Sequence, residues 1–162
     1  MQPNDDPSAT PLRNLLAGAA AFSLPLEDIL SIHTLLGGLN AALDAGREAE
    51  FAEGFIPDAL LTYDGGAYRG RERIEDFARD THRRRSHCAR HCENVLIRAL
   101  NASTAEITGY LITIRLRSDL RRRETPYVLA HASITDRAVK DSGVWQLAER
   151  RIFLNSERLP PW

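Results

Sequence analysis

The stretch that decides the fold is ENVLIRALNASTAEITGYLITIRLRSD, Glu93–Asp119, continued by YVLAHASITDRA, Tyr127–Ala138, and VWQLAERRIFL, Val144–Leu154. Each run is rich in apolar residues. Polar or turn residues bound them: Asn101-Ala102-Ser103, Ser118-Asp119 and Asp141-Ser142-Gly143. Runs of this kind between turn signals read as long strands. Upstream, Pro25 followed by Leu26-Glu27-Asp28 opens a helix, with proline at the edge and acids in the first turn. Ile29, Ile32, Leu36, Leu39 and Leu43 recur at helical spacing, and Gly46 is placed as a C-terminal cap, giving a helix over Leu26–Ala45. Helices first and strands last predict an α+β fold, its helices laid on one face of a bent antiparallel sheet. That layout leaves a conical cavity between the layers, into which Asp44 and His91 are candidates to point.

Between these regions a short helix is expected over Glu48–Phe55, stopping before Pro57. A strand follows over Ala59–Tyr63, then a turn at Asp64-Gly65-Gly66 and a third helix over Arg71–Arg84 with Ile74, Phe77 and Ala78 inward. Gly37-Gly38 interrupt the first helix at a cost of roughly 1 kcal/mol each. They serve either close packing or a kink.

Length and composition bound the reading. The chain has 162 residues, enough for one domain over 25–162 after a flexible tail over 1–24. Formal net charge is −1, which argues against a nucleic-acid binder. Arg83-Arg84-Arg85 and Arg121-Arg122-Arg123 read as solvated edges or loops, with contact to an anionic partner as the alternative. The start is acidic and polar, and Leu15–Phe22 is too short for a membrane span or secretion signal, so a reduced cytoplasmic protein is expected. Cys88 and Cys92, four apart, are awkwardly spaced for a disulfide. His87-Cys88 and His91-Cys92 would have to wrap one ion within six residues, whereas zinc sites draw pairs from separate segments; no metal is expected.

On a period of two, His91 shares a face with Glu93, Val95, Ile97 and Ala99, so its imidazole is expected at the cavity mouth. A neutral imidazole there can accept a proton, and Asp44 beside it would fix the tautomer. His33, three turns before Asp44, and Asn40, one turn before it, fall near the same stripe; Tyr110 and His131 on the middle strands are further candidates to line the cavity. Asp136 with Arg150 or Arg151 reads as a cross-strand ion pair, and Trp145 as core.

Leu43-Asp44-Ala45-Gly46, Phe55-Ile56-Pro57-Asp58-Ala59, Tyr68-Arg69-Gly70 with Ile74 and Phe77, Arg90-His91 leading into Asn94-Val95-Leu96-Ile97, Ser133-Ile134-Thr135-Asp136 and Gly143–Arg150 together resemble the SnoaL-like, scytalone dehydratase-like members of the nuclear transport factor 2-like superfamily. The resemblance spans about Leu26 to Leu154 and implies a cone-shaped α+β barrel under about three N-terminal helices. It implies a cofactor-independent lyase or isomerase, with Asp44 and His91 as the catalytic pair acting on a small hydrophobic cyclic molecule. His33, Asn40, Tyr63, Tyr110 and His131 would bind that substrate, and the chain would form a homodimer or homotrimer. The interval from His91 to Asn94 is one residue shorter than in many members, so His87 is a rival for the pocket histidine. Leu39 stands where ketosteroid isomerase has its tyrosine, and Tyr63, with Asp64 one further on, where it has its catalytic aspartate; steroid isomerisation is disfavoured. Arg150–Leu154 and the Arg90-His91 strand start also resemble the small subunit of ring-hydroxylating dioxygenases, which implies a non-catalytic binding or oligomeric module as the alternative.

Overall fold

The computed structural model describes residues 23–116 and 125–157. Residues 1–22 of the expected tail and the Arg121-Arg122-Arg123 cluster lie outside the described residues. Leu24, assigned to that tail, packs against the core.

Three helices precede or interrupt the sheet: α1 (Leu26–Asp44), α2 (Glu48–Glu53) and α3 (Arg71–Arg84). Helix α1 starts behind Pro25, with Glu27 and Asp28 in its first turn, and buries Ile32, Leu36, Leu39 and Leu43 on one stripe. Gly46, at φ 67°, follows its end. The Gly37-Gly38 pair does not interrupt α1 and does not serve close packing. The helix runs through it, and a Cβ added at either position would touch nothing within 4 Å.

The strands are β1 (Phe55–Tyr63), β2 (Gly66–Arg69), β3 (Cys88–Asn101), β4 (Thr104–Arg115), β5 (Tyr127–Asp141) and β6 (Val144–Glu157). Two boundaries differ from the sequence reading. Helix α2 ends at Glu53, and Phe55, expected in the helix, opens β1. Pro57 therefore lies inside a strand, within the irregularity between Phe55 and Leu60, where the ladder does not need its missing N–H. The six strands run in the order β2-β1-β6-β5-β4-β3, so the sheet is open, with β3 and β2 at its edges. It is mixed rather than wholly antiparallel: β1 pairs with β6 in parallel, while every other neighbour is antiparallel. Helix α3 provides the crossover that brings the chain from β2 to the far edge.

One core joins the helices to the inner sheet face. It includes Ile32, Leu36, Phe51, Phe55, Leu61, Ile74, Phe77, Ile107, Trp145 and Leu147. Phe77 stacks at a tilt on Phe51, Tyr63 and Tyr68, with ring centres 6.4, 5.6 and 5.0 Å apart. The Trp145 indole N–H donates to Asp28 at 2.9 Å, and Lys140 Nζ reaches the same oxygen at 2.7 Å, so the start of α1 is fastened to the β5–β6 hairpin.

Candidate functional site

The geometry of the site turns on a bulge in β3. Leu96, Ile97, Arg98 and Ala99 pair regularly with β4, as do Cys88 to Glu93, but the register slips between Glu93 and Leu96. Asn94 takes φ 50°, and Gly109 lies against the bulge; a Cβ there would stand 2.9 Å from the Glu93 carbonyl oxygen. An extra residue reverses the alternation. Beyond the bulge Val95, Ile97 and Ala99 turn inward; before it Cys88, Arg90 and Cys92 do. His91 is exposed, and Arg90 takes the interior position that alternation had assigned to His91. His87, the rival, is exposed as well, with φ 61°. Because the cysteines face inward and these histidines are exposed, the four do not converge; among the described residues no three His, Cys, Asp or Glu side chains form a metal-sized group.

Asp44 is held by Arg90, not by His91. The Arg90 backbone N–H donates to Asp44 Oδ2 at 2.8 Å, and Arg90 Nη1 forms a short ion pair with Asp44 Oδ1. Among the described residues no hydrogen bond joins Asp44 to a histidine. This pairing answers the cost of a carboxylate at a helix C-terminus. The Arg90 side chain is only 4% exposed, and its Nη2 is buried without a hydrogen-bond partner. His33, Asn40, Asp44 and His91 do share one shallow groove between α1 and the β3 edge, with the two histidines exposed at its rim.

The interior cavity lies between α1, α2, α3 and the inner sheet face and measures about 130 Å³. Phe51, Tyr63, Tyr68, Phe77, Leu111 and Ile152 supply its apolar walls; Asn40, Thr113, Arg90 and Arg150 supply polar groups; Asp80, Thr81, Arg84 and Arg85 come from the last turns of α3 and just beyond. Asn40 donates to Cys92 Sγ at 3.2 Å. Arg85 lies over the Tyr63 ring, 5.9 Å from its centre. Arg150 is fully packed and grips Asp136 through Nε at 3.0 Å and Nη2 at 2.6 Å, the expected cross-strand pair. Burial pushes the Asp136 carboxyl up against the opposing charge of Arg150. Burial is the largest influence on Arg150 and acts to lower it, but the charge of Asp136, its hydrogen bonds and Cys92 together outweigh burial and the guanidinium is raised. Two short, parallel bonds favour the ionised pair at neutral pH.

The remaining candidates divide. Asn40 and Tyr63 line the interior cavity. Tyr110 and His131 lie on the outer sheet face instead, since their neighbours Leu111, Ala130 and Ala132 point inward. Their rings stack at 5.0 Å, and Asn155 Nδ2 contacts His131 Nδ1 at 3.3 Å and donates to Ser133 Oγ at 2.8 Å. Arg90 is the residue the sequence reading passed over. The signal was present: Cys88, Arg90 and Cys92 alternate, and a glycine sits in the facing strand where a bulge needs room.

A SnoaL-like domain model matches residues 25–151. The chain therefore belongs to the SnoaL-like domain family. No curated protein is matched. Among solved structures, a protein of unknown function with a cystatin-like fold from Nostoc punctiforme is similar at 22% identity and TM-score 0.75, over 86% of this chain and 98% of that one. LinA is similar at 23% identity and TM-score 0.71, over 85% and 92%. A Novosphingobium aromaticivorans structure, described provisionally as a scytalone dehydratase, is similar at 17% identity and TM-score 0.70, over 82% and 87%. At these identities the likeness establishes the shared cone-shaped fold and nothing about the reaction.

Proposed function

We propose that the interior cavity binds one small ring-bearing molecule and that the chain works as a small-ligand-binding, self-associating module rather than through a histidine base. The observation that carries this reading is the interior position of Arg90. Where a proton acceptor would have to stand, the chain presents a permanently charged guanidinium tied to Asp44. The aromatic walls suit a ring, and a space of about 130 Å³ falls below the roughly 300 Å³ at which pockets for drug-sized ligands begin. Self-association rests on the exposed apolar residues Leu96, Tyr110 and Phe153 on the outer sheet face.

Toluene is a suitable neutral probe. In the ¹⁵N-labelled chain it should shift the backbone amides of Thr113, Ala130 and Ala132, and Ala132→Leu, which fills the cavity, should abolish the shifts. Shifts confined to the α1–β3 groove, or none at all, would overturn the reading.

A lyase or isomerase acting through Asp44 and His91 keeps one observation in its favour: both residues border the same groove, with His33 and Asn40. On that reading His91→Ala lowers turnover of an eliminated or isomerised substrate by about a hundredfold or more. On the binding reading His91→Ala leaves toluene affinity unchanged.

A further inference from the structure

The sheet that walls the cavity is notched on one side. Strand β1 ends at Tyr63, opposite Ile152, while β6 runs on to Glu157. The chain turns away at Asp64 and Gly65, which take φ 47° and 77°. Past the end of β1 lies an outer groove of about 320 Å³ between the β1–β2 turn and β6. Among the described residues, Tyr63, Ile152 and Leu154 border both this groove and the interior cavity. Tyr63 is the largest of the three. It packs against the main core and also against the smaller cluster of Leu111, Ala132, Ile134 and Ile152. Phe77 meets its ring at 5.6 Å and Arg85 lies over it at 5.9 Å, so the ring stands as packed wall between two spaces.

That position bears on the size of a guest. The interior volume of about 130 Å³ is close to the roughly 150 Å³ of an apolar cavity that holds one benzene ring. A ring with a longer tail has two directions in which to extend. Past the last turns of α3 the tail would meet Asp80, Thr81, Arg84 and Arg85, which offer an apolar chain little burial. Toward β6 it would meet Tyr63, although apolar surface from Ile152, Phe153 and Leu154 lines the groove behind that ring.

Resting on the reading of the cavity as the ligand site, we propose that Tyr63 is the residue that sets its specificity. It is an end wall that admits a compact monocycle with a methyl-sized substituent and rejects the same ring on a longer unbranched tail. The role is steric and belongs to the ring rather than to the hydroxyl. It involves no bond-making step.

The test titrates the full chain with toluene and with n-propylbenzene, following the amides of Thr113, Ala130 and Ala132. Wild type should bind propylbenzene about tenfold or more weakly than toluene, the usual penalty for extra methylenes in a closed apolar pocket. Tyr63→Ala joins the two spaces and should reverse the order. Each methylene that finds room is worth about fourfold in affinity, so propylbenzene should then lead by about tenfold or more. Its shifts should also spread to the amides of Gly65 and Phe153. Tyr63→Phe should keep the wild-type order. Should Tyr63→Ala fold poorly, Leu154→Ala thins the same wall and should move the ratio in the same direction by a smaller factor. Toluene binding with propylbenzene bound equally or better by wild type would overturn the wall and leave the cavity reading intact. So would folded variants that gain nothing for propylbenzene. Silence from toluene in wild type would overturn the cavity reading and the wall with it.

Discussion

Arg90 and His91 are adjacent in the sequence, and one bulge decides which of them meets Asp44. The alternation from Val95 through Ala99 is sound, and extending it back to His91 is the natural step. It fails because Asn94 adopts φ 50° and adds a residue to the strand. Nothing local to His91 announces this; the clue lies across the sheet, at Gly109. Asp44 itself was legible, since a carboxylate at a helix C-terminus asks for a partner. Asp44→Ala should therefore cost about 3–5 kcal/mol in urea unfolding, because it strands a buried guanidinium. His91→Ala, by contrast, should change stability by no more than about 0.5 kcal/mol, as expected for an exposed side chain. Equal effects of the two substitutions would contradict the pairing described.

At the scale of elements, α1 was readable because its boundaries carry chemistry, Pro25 and the acids after it and Gly46 at positive φ, and α3 because Ile74, Phe77 and Ala78 fall on one inward face. The parallel pairing of β1 with β6 was not. It depends on which edge of the antiparallel meander β1 finds, which is a tertiary matter and leaves no period in the sequence. Two consequences attach to α1. Gly37→Ala and Gly38→Ala should each stabilise the chain by about 0.5–1 kcal/mol in urea unfolding, since the added methyl meets nothing and the unfolded chain loses freedom. Loss of stability would mean that one of these glycines has a contact the fold conceals.

The other consequence concerns pH. Hydrogen bonds from Lys140 and then Trp145 hold the Asp28 carboxyl below its ordinary value of 3.8. A carboxylate depressed on folding contributes stability that is fully present above its unfolded value and is lost as pH falls through the folded one. Thermal melts should thus show wild type above Asp28→Asn by several degrees at neutral pH, with the gap closing below about pH 3.8. A gap that persists in strong acid would assign the difference to packing rather than to charge.

For the whole molecule, the open sheet has two unlike faces. The inner one is covered by helices; the outer one presents Phe153, 60% exposed, and Tyr110, 40% exposed, beside Leu96. On the proposed self-association these exposed apolar residues would form the contact, with a second copy of the chain supplying a matching surface. Light scattering at micromolar concentration should find a dimer or trimer, and Phe153→Glu with Tyr110→Glu should return it to the monomer mass with its helical content intact. A wild-type monomer would remove the outer face from consideration.

Helix α1 is bolted at both ends, to the β5–β6 hairpin through Asp28 and to β3 through Asp44. Helix α3 is tied by single hydrogen bonds instead: Arg71 Nε donates to the Phe55 carbonyl at 2.7 Å at its start, and His82 Nδ1 lies 3.2 Å from the Leu43 carbonyl in its last turn. Its ion pairs run mostly along its own surface, from Arg79 to Glu75 and Asp76 and from Arg83 to Asp80, and its last turns form the rim of the cavity. On the proposed binding reading, traffic into and out of the interior would be assigned to one side. A guest would leave when the last turn of α3 lifts and the His82–Leu43 contact opens, so its residence time would follow the opening rate of that short segment and not breathing of the layer as a whole.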